Sequence, residues 1–346
     1  MRNKTLDCYK GILIILVVIR HVLQCSTSDQ GGVLGNIIWA VQMPGFMLIA
    51  GYFSYKCIDS YKTLVMNFKK NCCRYLLPFI SWFFLISVIL LGRFEGSLLN
   101  GGAALIQHVD NGLWFLWVTF ILAIIASFVN LLMSKNNLGP GKLIVAIAFF
   151  LVFGIATAFV MTRKGISFLG IKYVLYYGVY YAIGYHVNKH NILSLLVEPK
   201  HKLYKILSAM SFSMFLFIVF NIDLQSGADN FTNILIRFFA AMSGCLALMV
   251  IVNRSSEYLQ RMNVNKIGMH TLEIYCVHVY YCGIMKQENA NSLYTVLGFQ
   301  NFVISLFITV VATLLTIQII RVFPFANLIL FGNRSTDSNK CPNEQG

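Results

Sequence analysis

Charge is scarce in this sequence, and acid is the scarcer sign: charged residues make up 12% of the 346 positions, with 13 Asp and Glu against 27 Lys and Arg. Soluble domains carry about 25% charged residues, so the scarcity excludes an ordinary soluble enzyme. Between Gly11 and Phe323 no polar stretch is long enough for a soluble domain, and no internal repeat is evident. Nine cysteines are present, but they follow neither zinc-ligand spacing nor a secreted disulfide framework. Cys25, Cys245, Cys276 and Cys282 lie in or at the ends of apolar runs, and Cys72-Cys73 falls in a basic stretch read as a loop. No metal is expected. The chain opens with Arg2, Lys4 and Lys10 as a signal peptide would, yet no small-residue cleavage site follows and more apolar runs do. The segment therefore reads as retained.

What the sequence has in abundance is apolar residues, 58% of the total. Runs of about 17–25 apolar residues are long enough to span a bilayer. They occur at 8–27, 33–54, 76–92, 112–133, 143–161, 171–187, 204–222, 231–252, 267–285 and 301–323. The expected fold is an all-α integral membrane protein of about ten transmembrane helices, with a membrane domain over 1–332 and a short, polar, disordered tail over 333–346. The formal charge of +14 does not call for nucleic acid, because the basic residues cluster between the apolar runs. Cytoplasmic segments hold an excess of Lys and Arg. With the N-terminus inside, twenty of the 27 fall on the inner side and six on the outer, Arg20 being left within the first span. That distribution predicts both termini in the cytoplasm, with Arg163, Lys164 and Lys172 as a local exception.

The first span carries the sequence's most informative pattern. Lys10 and His21 are eleven residues apart, which returns a helix to within about 20° of the same azimuth and separates them by about 16 Å along the axis. Asp7 falls about 40° to the other side of His21. One face thus bears an acid, a cation and an imidazole. Ionisable groups inside a bilayer are costly and usually face a bundle interior or an aqueous cavity, so His21 reads as functional; a histidine bonded to a neighbouring helix is the structural alternative. Lys10 equally suits a topology signal, and Asp7 a helix N-cap. Glu273 is the acid placed well inside an apolar run, which makes it a second candidate. His278, five residues on, lies about 140° around the helix from it. Trp114 opens the fourth span, either in an aromatic belt or as a stacking surface. Arg20 lies about 100° from His21 and points elsewhere.

The stretch "LDCYKGILIILVVIRH" resembles the first helix of membrane-bound acyltransferase family 3, marked by an arginine and a histidine separated by ten residues. Lys10 stands at the arginine position and His21 at the histidine position. The lysine form resembles the branch of fucose 4-O-acetylase-like proteins. Four further stretches match in order: "QMPGFMLIAGYF", "RYLLPF", "LWFLWVTF" and "IGMHTLEIYCVH". The resemblance implies transfer of an acetyl group from acetyl-CoA, a co-substrate, to a hydroxyl of a cell-surface or lipid-linked glycan, in the cytoplasmic membrane of a bacterium. It makes His21 the general base or an acyl-carrying nucleophile, with Lys10 and Asp7 beside it. Lys10 and Arg74 then hold coenzyme A phosphates, and Glu273, His278 and Trp114 become acceptor-binding candidates. Membrane lipids are the other expected partners. A multi-pass transporter or flippase of a lipid-linked sugar remains the alternative, with His21 and Glu273 binding substrate or relaying protons.

Overall fold

The computed structural model describes residues 3–56, 58–134, 167–193, 202–225 and 230–333. The expected fifth span, 143–161, and the tail beyond Asn333 lie outside these. Among the described residues the protein is helical, with no strands beyond one isolated bridge between His108 and Ser167. The helices are α1 (Lys4–Ser26), α2 (Gly32–Tyr52), α3 (Tyr61–Leu90), α4 (Leu98–Gln107), α5 (Trp114–Ser134), α6 (Ile171–Lys189) and α7 (Lys202–Asn221). After these come α8 (Phe231–Arg254), α9 (Ser256–Arg261), α10 (Val264–Met269), α11 (Thr271–Ile284), α12 (Val296–Val322) and α13 (Pro324–Phe331). Five of them, α2, α3, α5, α8 and α12, are long and apolar enough to cross a membrane.

Three details differ from the sequence reading. The third span begins at Tyr61 rather than at 76, because Lys62, Lys69 and Lys70 interrupt the apolar run without interrupting the helix. Cys72 and Cys73 are therefore helical, and Arg74 sits in a π-helical turn, Cys72–Leu76, closed by Leu77 N–H donating to Cys72 O. The ninth span is two helices, α10 and α11, parted at His270.

The chain forms two compact units. The first joins Met1–Ile49 to Val187–Gln318, and α1 runs through its centre. Asn3 caps α1, its side chain accepting from Leu6 N–H at 3.1 Å, so Asp7 is not the cap. One apolar cluster sets Ala40 and Val41 of α2 against Phe215, Ile218 and Val219 of α7 and Ala240 of α8. A second joins Val18, Val22 and Leu23 of α1 to Cys282 of α11 and Phe302 of α12. Polar ties fix the register: Tyr9 Oη donates to Cys245 O at 3.2 Å, and the Asn36 amide donates to Val219 O and Ile222 O at 2.8 and 2.7 Å.

The crossing of α1 and α10 is backbone on backbone. A Cβ at Gly268 would stand 1.8 Å from Asp7 O, and one at Gly11 would stand 2.3 Å from Val264 O. Small residues permit such approach within membranes. Because backbone, not a flexible side chain, meets the added atom, Gly268→Ala is expected to cost more than the ~1–3 kcal/mol typical of overpacking. Thermal unfolding in detergent checks this; an unchanged midpoint would contradict the packing described.

The second unit joins Ala50–His186 to Ile319–Gly346. Here α2 meets α6 closely, with Gly51 against Tyr181 O. The α3 indole of Trp82 donates to Leu330 O of α13 at 2.8 Å, and Asn67 donates to Ser127 of α5 at 2.7 Å. Tyr185 donates a short hydrogen bond to Asn130.

Candidate active site

In the first unit α1 brings three of the expected residues into a defined arrangement. Lys10 Nζ lies 2.6 Å from Asp7 Oδ1, with the two side chains 18% and 5% exposed. The pair is buried enough for its geometry to be fixed, unlike a freely solvated surface pair. Toward the other end of α1, His21 Nδ1 lies 2.9 Å from His278 Nε2 of α11. The rings are tilted by 41° with centroids 5.0 Å apart. His278 is fully buried, and its Nδ1 lies 2.8 Å from Ile274 O.

These two contacts determine which nitrogens carry protons. A carbonyl oxygen only accepts, so Nδ1 of His278 must donate. In neutral His278 the remaining nitrogen, Nε2, is then an acceptor. His21 must therefore donate from Nδ1, which leaves the lone pair of neutral His21 on Nε2. This is the tautomer a general base needs, held by a second group behind it as in orienting triads. Here the orienting group is an imidazole rather than a carboxylate.

Glu273 does not perform that role. Its carboxyl is buried, and Oε2 lies 3.3 Å from His270 Nδ1 at the break between α10 and α11. Arg20, which points away from His21 as its azimuth requires, is 2% exposed. It donates to Gln30 O at 3.1 Å and to Gln30 Oε1 at 2.9 Å, instead of reaching outward.

Arg74 and Trp114 belong to the second unit. Arg74 is exposed, with its guanidinium 5.4 Å from the centre of the Tyr75 ring. The ammonium of Lys56 is held below the ordinary lysine value, first by desolvation and then by the positive charges of Lys70 and Arg74. Three cations thus gather around one place, although Lys62 and Lys69 share the same basic segment. Trp114 is half-buried and stacks on Tyr173 and Tyr177 of α6, with centroid distances of 5.0 and 5.2 Å. Among the described residues no group of three or more His, Cys, Asp or Glu suits a metal ion.

The turn between α1 and α2 is strapped to the segment before α12. Asp29 accepts from Gly31 N–H, Leu293 N–H and the Ser292 hydroxyl at 3.1, 3.2 and 2.5 Å. Desolvation raises its pKa, but these hydrogen bonds outweigh it and hold the carboxyl below the usual value. A depressed folded pKa stabilises above the unfolded value of about 3.9 and loses that contribution as pH falls through the folded value. Asp29→Asn is therefore expected to lower the unfolding temperature at pH 7, with the difference from the unaltered protein narrowing below about pH 4. A difference independent of pH would contradict the ionised strap.

Sequence reasoning did not find the His21–His278 pair, the Arg20–Gln30 contact or the Asp29 strap. The comparisons with known proteins agree with the resemblance in the first helix. Nodulation protein NolL of Mesorhizobium japonicum (strain LMG 29417 / CECT 9101 / MAFF 303099) is 30% identical over 146 residues, 40% of this chain. The match spans 38% of that relative's length. No solved structure matches the chain. The family model described as an acyltransferase domain matches residues 3–321, and with that match over nearly all of a helical protein that has, among its described residues, five helices long and apolar enough to cross a membrane, the chain belongs to acyltransferase family 3, a family of membrane-bound acyltransferases.

Proposed function

We propose that this protein is a multi-pass O-acyltransferase of a bacterial cytoplasmic membrane. It transfers an acetyl group from acetyl-CoA to a hydroxyl of a cell-surface or lipid-linked glycan, with ten spans and both termini in the cytoplasm. The observation that carries the reading is the His21–His278 pair, whose bonding leaves the His21 Nε2 lone pair for a substrate proton. The acceptor hydroxyl gives its proton to that nitrogen as its oxygen attacks the thioester carbonyl. The new C–O bond forms, the C–S bond breaks, and the departing thiolate takes the proton from the imidazolium. The same lone pair also serves a two-step route in which His21 carries the acetyl group.

Lys10, partly neutralised by Asp7, is a point charge with donors suited to a phosphate. The cations around Arg74 suit the same polyanion. Glu273, at the helix break, and Trp114, on its tyrosines, are proposed acceptor contacts.

The test is transfer of label from radiolabelled acetyl-CoA into envelope glycan by membranes that contain the protein, against matched membranes that lack it. Label in the glycan fraction dependent on the protein supports the reading. Equal label in both membranes, with the protein present and folded, contradicts it.

A further inference from the structure

Within the first unit, a cavity of ≈ 430 Å³ opens beside the α1–α2 turn, against the first turns of α2 and the end of α7. Its size is within the about 300–1,000 Å³ of small-molecule sites. The cavity lies at the His21 end of α1, not the Lys10 end: its α1-side residue Ser28 follows just after the end of α1 at Ser26, which is five positions, about 7.5 Å at the helical rise, beyond His21.

The walls are held from within. Asn36 pins the end of α7 through Val219 O and Ile222 O, and accepts from Leu224 N–H at 2.8 Å. Asp223 accepts from Gln225 N–H at 2.9 Å. Gln30, in the left-handed region at φ +49°, is kept there by both bonds from Arg20, the residue next to His21. One polar atom at this wall has no partner: Gln225 Oε1 is buried without a hydrogen bond. Such groups cost stability unless something bonds to them.

The lining chemistry selects an occupant. Asp29 and Asp223 line the cavity and, among the described residues, no Lys or Arg does, which disfavours phosphates and therefore the donor. Amide and carboxylate oxygens suit hydroxyl donors. Val33, Val219 and Phe220 supply an apolar side, with Phe220 62% exposed. Polar oxygens and an aromatic ring lining one cavity match a sugar, whose hydroxyls ring an apolar C–H face. We propose that this cavity is a binding site for an uncharged saccharide. The proposal rests on the acyl-transfer reading in taking that saccharide to be part of the acceptor, presented to His21 from the end of α1 opposite Lys10.

The experiment is saturation-transfer NMR on the full chain in detergent, without any acyl donor. The probes are methyl glycosides of glucose, galactose and fucose, with glucose 1-phosphate as the anionic comparison. At least one glycoside is expected to give signal, and glucose 1-phosphate less. Val33→Trp, which fills the cavity, abolishes the signal. Phe220→Ala, which adds no bulk and keeps the proposal testable if the tryptophan variant misfolds, weakens binding at least about fivefold, as loss of a central aromatic contact does. No signal from any glycoside, a stronger signal from glucose 1-phosphate, or full binding by folded variants would overturn the site. The two readings fail separately. Glycoside binding without acyl transfer overturns the enzyme and leaves the cavity; acyl transfer indifferent to Val33→Trp overturns the cavity and leaves the enzyme.

Discussion

His21→Ala lowers acyl transfer by about 10²–10⁴-fold, the contribution of a positioned general base, while coenzyme A stays bound. In the proposed reaction the loss falls on kcat, because the imidazole meets the reacting hydroxyl and not the nucleotide. Were His21 a structural histidine tied to α11, alanine would instead lower stability and spare the turnover of whatever protein remained folded. Rates are therefore compared per folded protein. Unchanged kcat would remove His21 from the mechanism, whereas a trapped acetyl-imidazole in the unaltered protein would select the two-step route over direct proton abstraction.

His278→Phe produces the second large effect, a loss of about a hundredfold, the lower end for a general base, because in the proposed reaction His278 acts through its contact with His21. Phenylalanine preserves much of the ring's volume but has no acceptor for His21 Nδ1–H, so the contact from α11 that favours this tautomer is lost. A positioning residue of this kind changes kcat while leaving the donor KM alone. His278→Gln, whose Oε1 accepts from His21, restores part of the rate. If Phe and Gln variants lose activity equally and in proportion to their stability, the contact is packing and the tautomer argument fails.

How much of this was legible beforehand depended on what periodicity encodes. Helical spacing places Asp7, Lys10 and His21 on one face, and Lys10 and Asp7 are indeed bonded in α1. It also separates Glu273 from His278, and the two have different partners. Azimuth, however, says which way a side chain points and not what stands there. The approach of His278 to His21 across 257 positions of sequence has no local signal, and neither does the use of Arg20 to hold Gln30. The start of α3 was obscured for another reason: hydropathy finds where a helix is apolar, not where it begins, and three lysines near its start do not break backbone hydrogen bonding.

The backbone contact between α1 and α10 has a consequence for timing and reach. Lys10 and His21 stand on one helix, whose rise sets roughly 16 Å between them, and with Asp7 O against Gly268 and Val264 O against Gly11 that helix has no clearance to slide or turn past its neighbour. In the proposed reaction the donor itself must cover that length: a thioester on a long, jointed arm does so with its phosphates still anchored. A compact donor such as acetyl phosphate does not, and is expected to leave the enzyme idle at any concentration.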